Sequence, residues 1–259
     1  MDSDSWRSGE PCPRHDQRWC YDCNPARRSQ PARRYPTLPP TTRVRDGALR
    51  GENWQHALGK SLAAWFQAEP PKDFPWRVDP TPWGILVAGF LLQSTTGSQV
   101  TEIYSGVIRK FPDPARMSEA DPDQLRNMIY RLGLHHRAEQ MIACAQSIVD
   151  HCHGRVPEAE RALLMLPGVG HQRASAVLCF AFSMPEPVIG QTTGRMLRRI
   201  IGLDDSAQHN EVRALATPMV PGFHPVEFSY ALVDLAGEIC RPVDPLCGDC
   251  PARPWCARE

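Results

Sequence analysis

The chain has 259 residues, and its 29 Lys and Arg balance 29 Asp and Glu, so it carries no formal net charge. That length supports one or two domains with real cores. A hydrophobic fraction of 42% and a charged fraction of 22% exclude a long disordered chain, and no apolar run reaches the roughly 18 residues of a membrane span.

The first residues, Met1 to Arg7, have no apolar core, so no secretory signal is expected. Residues 1–25 hold Cys12, His15, Cys20 and Cys23 in the pattern C-x2-H-x4-C-x2-C. Zinc takes such a Cys3His set tetrahedrally, and so polar a segment would not fold without a metal. The alternative is a disordered tail with scattered Cys. Residues 26–50 are rich in Arg and Pro and read as a basic linker. It is either a solvated tether or an arm that meets nucleic-acid phosphates.

From residue 51 onward the pattern is helical. Trp54, Leu58, Leu62, Trp65 and Phe66 mark an amphipathic helix that stops before Pro70-Pro71. Pro82 to Gln93 is apolar nearly all round, which predicts a buried helix with Pro in its first turn. Val100 to Ile108 gives another helix, stopped by Phe111-Pro112. Asp121 to Leu132 reads as one capped helix with Gly133 as its stop. Ala138 to Ile148 continues the series. Alternating strand-like runs are nearly absent, so the fold class is all-α, with eight or more short helices. Cys144 and Cys179 sit in apolar helical patterns and read as buried free thiols. Cys152, between His151 and His153, reads as a helix end with exposed imidazoles.

Leu166-Pro167-Gly168-Val169-Gly170 separates two helical runs, the second from Ala174 to Phe182. Its two glycines allow positive φ and close backbone approach. Such a turn is either a plain helix–helix connection or a cradle whose N–H groups meet a phosphate at the next helix. Near the end come Cys240, Cys247, Cys250 and Cys256, spaced C-x6-C-x2-C-x5-C among Pro242, Pro245, Pro251 and Pro254. A segment this short and Pro-rich needs a cross-link. Four thiolates hold zinc or an iron–sulfur cluster, and spacing alone does not choose between them. Disulfides are the alternative, although nothing points to an oxidising compartment.

These residues together resemble the helix-hairpin-helix (HhH-GPD) DNA glycosylases. The hairpin, Pro187-Val188 and Gly194-Arg195 carry the resemblance downstream. Phe74 to Arg77, Pro82-Trp83 and Leu91 to Gly97 carry it upstream, nearest the endonuclease III branch that holds the adenine and thymine mismatch glycosylases. The resemblance spans about residues 52–256. It implies a six-helix barrel domain at about 80–190 and a 4Fe–4S cluster domain at about 51–79 plus 191–259, after the small N-terminal Cys/His knuckle. It implies Cys240, Cys247, Cys250 and Cys256 as the 4Fe–4S ligands. It implies DNA bound in the cleft, with Gly168, Val169 and Gly170 on a backbone phosphate. Gln93, with Ser94, would fill the gap left by a flipped base, and Arg195 belongs to the same DNA-binding set.

The reactive positions depart from the family pattern. The family's Asp, five residues before the Arg of the Gly-Arg pair, falls on Gly190. The Glu three residues before the Leu-Gln pair falls on Gly89, and the nucleophilic Lys after the hairpin falls on Gln172. Two glycines would leave room in the site while offering no charge. Schiff-base strand cleavage is therefore not expected. Losing one transition-state electrostatic contact costs about 2.7–4 kcal/mol. The expected function is a double-stranded-DNA-binding 4Fe–4S protein that reads a mismatched, damaged or modified base by flipping it, with hydrolysis degenerate or atypical. The alternative is an active monofunctional glycosylase of T/U·G or A-mismatch type that uses a displaced acid, with Glu186, Asp79 and Asp234 as candidates. A monomer without membrane contact is expected, with a repair or restriction protein as further partner. The location would be cytoplasmic, or nucleoid-associated on DNA, since oxidation damages thiolate clusters.

Overall fold

A computed structural model describes residues 53–68, 73–133 and 136–258. The Cys12–Cys23 knuckle and the 26–50 linker lie outside the described residues. Among those residues the chain is helical throughout, without a strand, and no helix is long and apolar enough to cross a membrane.

The helices in order are α1 (Trp54–Ala68), α2 (Pro75–Val78), α3 (Pro82–Leu91), α4 (Gly97–Lys110), α5 (Pro114–Ser118) and α6 (Pro122–Ile129). After them come α7 (Arg137–Cys152), α8 (Glu160–Leu164), α9 (His171–Ala176), α10 (Gln191–Ile201), α11 (His209–Ala216) and α12 (Pro225–Glu238). Side-chain caps start several of them. The Thr81 hydroxyl accepts from the Gly84 N–H at 3.0 Å, and Thr96 with Gln99 forms a reciprocal capping box. The run from Asp121 to Leu132 is not one helix. The α-helix ends at Ile129 and tightens to a 3-10 turn at Tyr130–Leu132, closed by Gly133 at φ 70°. The run after the hairpin also changes pitch, because α9 widens into a π-turn at Val177–Ala181.

Two hydrophobic cores organise the helices. The first gathers α3 with inward faces of α4 to α9 around Leu86, Phe90, Val107, Met117, Ile129 and Met141. α3 sits at its centre, with every residue from Trp83 to Ala88 buried. Each large side chain buried this way contributes about 1.5–3 kcal/mol. The Trp83 indole stays satisfied by donating to the Phe111 carbonyl at 3.0 Å. The second core joins α1 to α10, α11 and α12 through Leu58, Leu62, Leu197, Val212, Phe228 and Leu232. Gly59 lets α1 approach closely here, since a Cβ on it would land on the Met219 carbonyl. Trp76 of α2 buries in the first core.

Arg77 pins the two cores together. Its guanidinium forms a two-pronged bridge to Asp234 of α12 at 2.7 and 2.9 Å and lies 4.4 Å from the Tyr230 ring centre. Tyr230 in turn stacks on Phe180 of the π-turn at 4.1 Å. The pair is nearly buried, with 7% and 11% of the two side chains exposed. Removing one member of such a pair leaves an uncompensated charge. Asp234→Ala is expected to lower the unfolding free energy by about 3–5 kcal/mol in urea denaturation. A change below about 1 kcal/mol would show that the bridge holds nothing.

Cys144 and Cys179 are buried free thiols, and burial pushes both up to about 12. At pH 8 both therefore stay protonated and shielded. Peptide mapping after brief iodoacetamide treatment of the native protein is expected to find both unmodified.

Candidate functional site

α3 enters the site from the first core. Its C-terminal carbonyls are gathered by Arg137 of α7, which is completely buried. Arg137 donates from Nη1 to the Leu91 carbonyl at 2.7 Å and from Nη2 to the Gln93 and Leu132 carbonyls at 2.5 and 3.4 Å. A cation at a helix C-terminus meets the negative end of its dipole. The next residues form an exposed tip. Ser94 adopts φ 56°, and Thr95 Oγ1 donates back to the Leu91 carbonyl at 2.7 Å. Gln93 and Ser94 are thereby turned to solvent on a braced support.

The hairpin faces this tip. Val169 is buried, whereas Gly168 and Gly170 are exposed. Gly168 has φ 73° and lies against the Phe90 ring, which a Cβ would meet at 2.8 Å. Both demands select glycine. First-turn amides of α9 have no acceptor within their helix, which suits an anion.

Arg173, two residues into α9 from His171, joins the parts. Nε donates to the Gly89 carbonyl at 3.0 Å, Nη1 donates to the Gly168 carbonyl, and Nη2 donates to Gln93 Oε1 at 2.6 Å. Its guanidinium lies 4.4 Å from the Phe90 ring centre. One side chain thus ties α3, the hairpin and the exposed tip. Burial holds Arg137 and Arg173 below the usual guanidinium basicity, and the Arg173 charge lowers Arg137 further.

Gly89 and Gly190 do not leave open space. A Cβ on Gly89 would meet Arg173 Cγ at 3.3 Å. A Cβ on Gly190 would lie within 2.6 Å of the Gln172 amide carbon, nitrogen and oxygen. The expectation of an enlarged site is corrected, because consecutive residues of α9 fill the space beside both glycines. Gly190 is also the N-cap of α10, and its N–H donates to Thr193 Oγ1 at 2.7 Å.

Two of the candidate displaced acids are paired with arginines. Asp234 is spent on Arg77, and Glu186 is bridged by Arg213 of α11 at 2.7 Å. Arg213 also bridges Glu160, which approaches His171 at 3.6 Å. His171 stacks on His209, which burial and then the charges of His171 and Arg213 hold below the ordinary imidazole range. Asp79 is exposed just beyond α2. Arg195 donates to the Ala236 and Cys240 carbonyls at 2.9 Å, so it braces the end of α12 and the first of the four cysteines.

Cys240, Cys247, Cys250 and Cys256 line one pocket with Met196, Ile200, Arg199, Arg253 and Arg258. All four are free thiols. Among the described residues no three His, Cys, Asp or Glu side chains converge tightly enough to hold a metal ion. Arg199 Nη1 approaches Cys240 Sγ at 3.5 Å, and burial pushes the Cys250 thiol up to about 11.

Arg137 and Arg173 are the site residues that sequence reasoning missed. No spacing announces Arg137, and its acceptors lie up to 46 positions away. Arg173 adjoins the hairpin motif, yet its partners Gly89 and Gln93 are 84 and 80 positions distant.

Comparison with known proteins follows this geometry. Residues 87–221 match the family model described as HhH-GPD superfamily base excision DNA repair protein. The chain is 37% identical over 208 residues to a thymine-DNA glycosylase of Aeropyrum pernix, covering 77% of this chain and 93% of that one. It is 34% identical over 212 residues to an adenine DNA glycosylase of Mycobacterium tuberculosis, covering 78% and 68% respectively. A solved thermostable thymine-DNA glycosylase superposes with TM-score 0.73 at 28% identity, over 78% of this chain and 95% of that one. An endonuclease III–DNA complex superposes with TM-score 0.69 at 20% identity, over 80% and 96%, and shares the fold.

The filled space makes a direct prediction. The Gln172 amide is the free end of a flexible, exposed side chain, and Asp is a favoured N-cap. Gly190→Asp is expected to fold with a stability within about 0.5 kcal/mol of the parent by thermal melting. Loss of cooperative unfolding would mean that Gln172 is locked in place.

Proposed function

The chain belongs to the HhH-GPD superfamily of base excision DNA repair proteins, and we propose that this member reads an altered base in duplex DNA by flipping it without an acid in place to cut the glycosidic bond. One observation carries the reading. The Gln172 amide and the Arg173 stem stand beside Gly190 and Gly89, where side chains on those positions would otherwise project. Cleavage builds positive charge on the sugar, and a nearby carboxylate stabilises it. A guanidinium does the opposite. Asp234 and Glu186 are already paired with arginines.

The remaining residues retain what binding needs. The Gly168-Val169-Gly170 turn and first-turn amides of α9 suit a backbone phosphate. Gln93 and Ser94 form an exposed tip for the gap that a flipped base leaves. The Arg137 brace gives that tip a rigid base, so less order is lost on binding.

Four free thiols around one pocket, with three arginines on its wall, fit a 4Fe–4S cluster held by Cys240, Cys247, Cys250 and Cys256. Bound there, it would supply a covalent cross-link to a segment with little core of its own. The arginines would balance its negative charge. Cys12, His15, Cys20 and Cys23 would hold zinc.

The test is single-turnover incubation of metal-replete protein with labelled duplexes carrying mismatched, damaged and modified bases. Half of each sample is cleaved with alkali to reveal abasic sites, and half is run as a gel shift. A selective shift without alkali-labile product is expected. Alkali-labile product from T·G, U·G or an A mismatch would overturn the reading and establish an active glycosylase with a displaced acid. Iron and sulfide analysis is expected to give about four of each per chain, and Cys250→Ala to lose them.

A further inference from the structure

Resting on that reading, we propose that Arg173 and Gln172 make this site a reader of an anionic nucleobase, one whose exocyclic group is a carboxylate. The charge on the site is the starting point. Its reactive positions are glycines, and the ionised group nearest to Gly89 is the guanidinium of Arg173. Arg137 lies close enough for the two positive charges to oppose each other. Half-buried Arg173 on the wall, with buried Arg137 behind it, sets up a positive potential that a neutral base leaves uncompensated.

Donor geometry agrees. A guanidinium has five N–H donors, and the bonds to Gly89, Gly168 and Gln93 use one on each nitrogen. One donor therefore remains on each terminal nitrogen, and a charge-assisted bond from either to a carboxylate is stronger than one to a neutral acceptor. The Gln172 amide beside Gly190 supplies a further donor. Exposed Gln172 and half-buried Arg173 remain reachable from solvent. A backbone phosphate offers the same anionic chemistry, and the experiment separates the two sources.

Equilibrium binding is measured with the full-length, metal-replete protein. Two duplexes are compared that differ in one base, 5-carboxycytosine against its neutral isostere 5-carbamoylcytosine. Their phosphates are identical. About ten-fold or greater preference for the carboxylate is expected, in keeping with a hydrogen bond to a charged group. Arg173→Gln is expected to abolish the preference, and Arg173→Lys to keep part of it. Gln172→Glu adds a carboxylate beside Gly190 and removes none of the three groups that Arg173 bonds. It is expected to abolish the preference too, which covers the case in which Arg173→Gln misfolds.

Equal binding of both duplexes overturns the inference. So does an Arg173→Gln variant that weakens both duplexes alike and reduces the salt dependence by about one phosphate contact, which assigns the guanidinium to the backbone. Selective binding of a neutral altered base overturns the anionic inference and leaves base reading standing. Absence of preference for any altered base overturns both.

Discussion

The site depends on a single guanidinium. Arg173 holds the Gly89 carbonyl, the Gly168 carbonyl and the Gln93 side chain, which belong to a buried helix, a hairpin and an exposed tip. Loops and helix ends lose much entropy when fixed in register. Three charge-assisted bonds from one rigid plane hold them at small further cost. Arg137 repeats the device one layer deeper, on carbonyls that α3 leaves unsatisfied. Both arginines bond largely to backbone carbonyls.

The two glycines and α9 are packed together. An acid at position 190 and the present Gln172 rotamer compete for one volume, and Arg173 packs where a side chain at 89 would begin. The site has therefore not been hollowed out. Residues of α9 occupy the volume beside both glycines.

Around this site the fold is conservative. The thymine-DNA glycosylase structure superposes over nearly its whole length. The two cores are fastened by Arg77 and Asp234, and Tyr230 and Phe180 stack alongside. Since the hairpin belongs to the first core and α10 to the second, any loosening there would separate Gly190 from Gln172. Arg195 and Arg199 extend the fastening toward the four cysteines through carbonyls of Cys240 and Arg241.

The sequence by itself determined the fold class. Apolar spacing located α1, α3, α4 and α7, because a helix that buries one face must repeat its apolar residues at that period. Pro, Gly and capping residues fixed most ends, since they act through local dihedrals and a few backbone bonds. The hairpin glycines were legible for the same reason. Local rules failed at Ile129 and after Ala176, where packing tightened one helix and widened another. The identities of Gly89, Gln172 and Gly190 were plain in the sequence, but their consequence was not. Whether a glycine leaves a void depends on which distant side chain turns into it. Long flexible chains such as Gln172 and Arg173 choose rotamers from the whole tertiary environment. The partners of Arg137 and Arg173 likewise come from segments tens of residues away, and only the folded packing decided which carbonyls those guanidinium groups would meet.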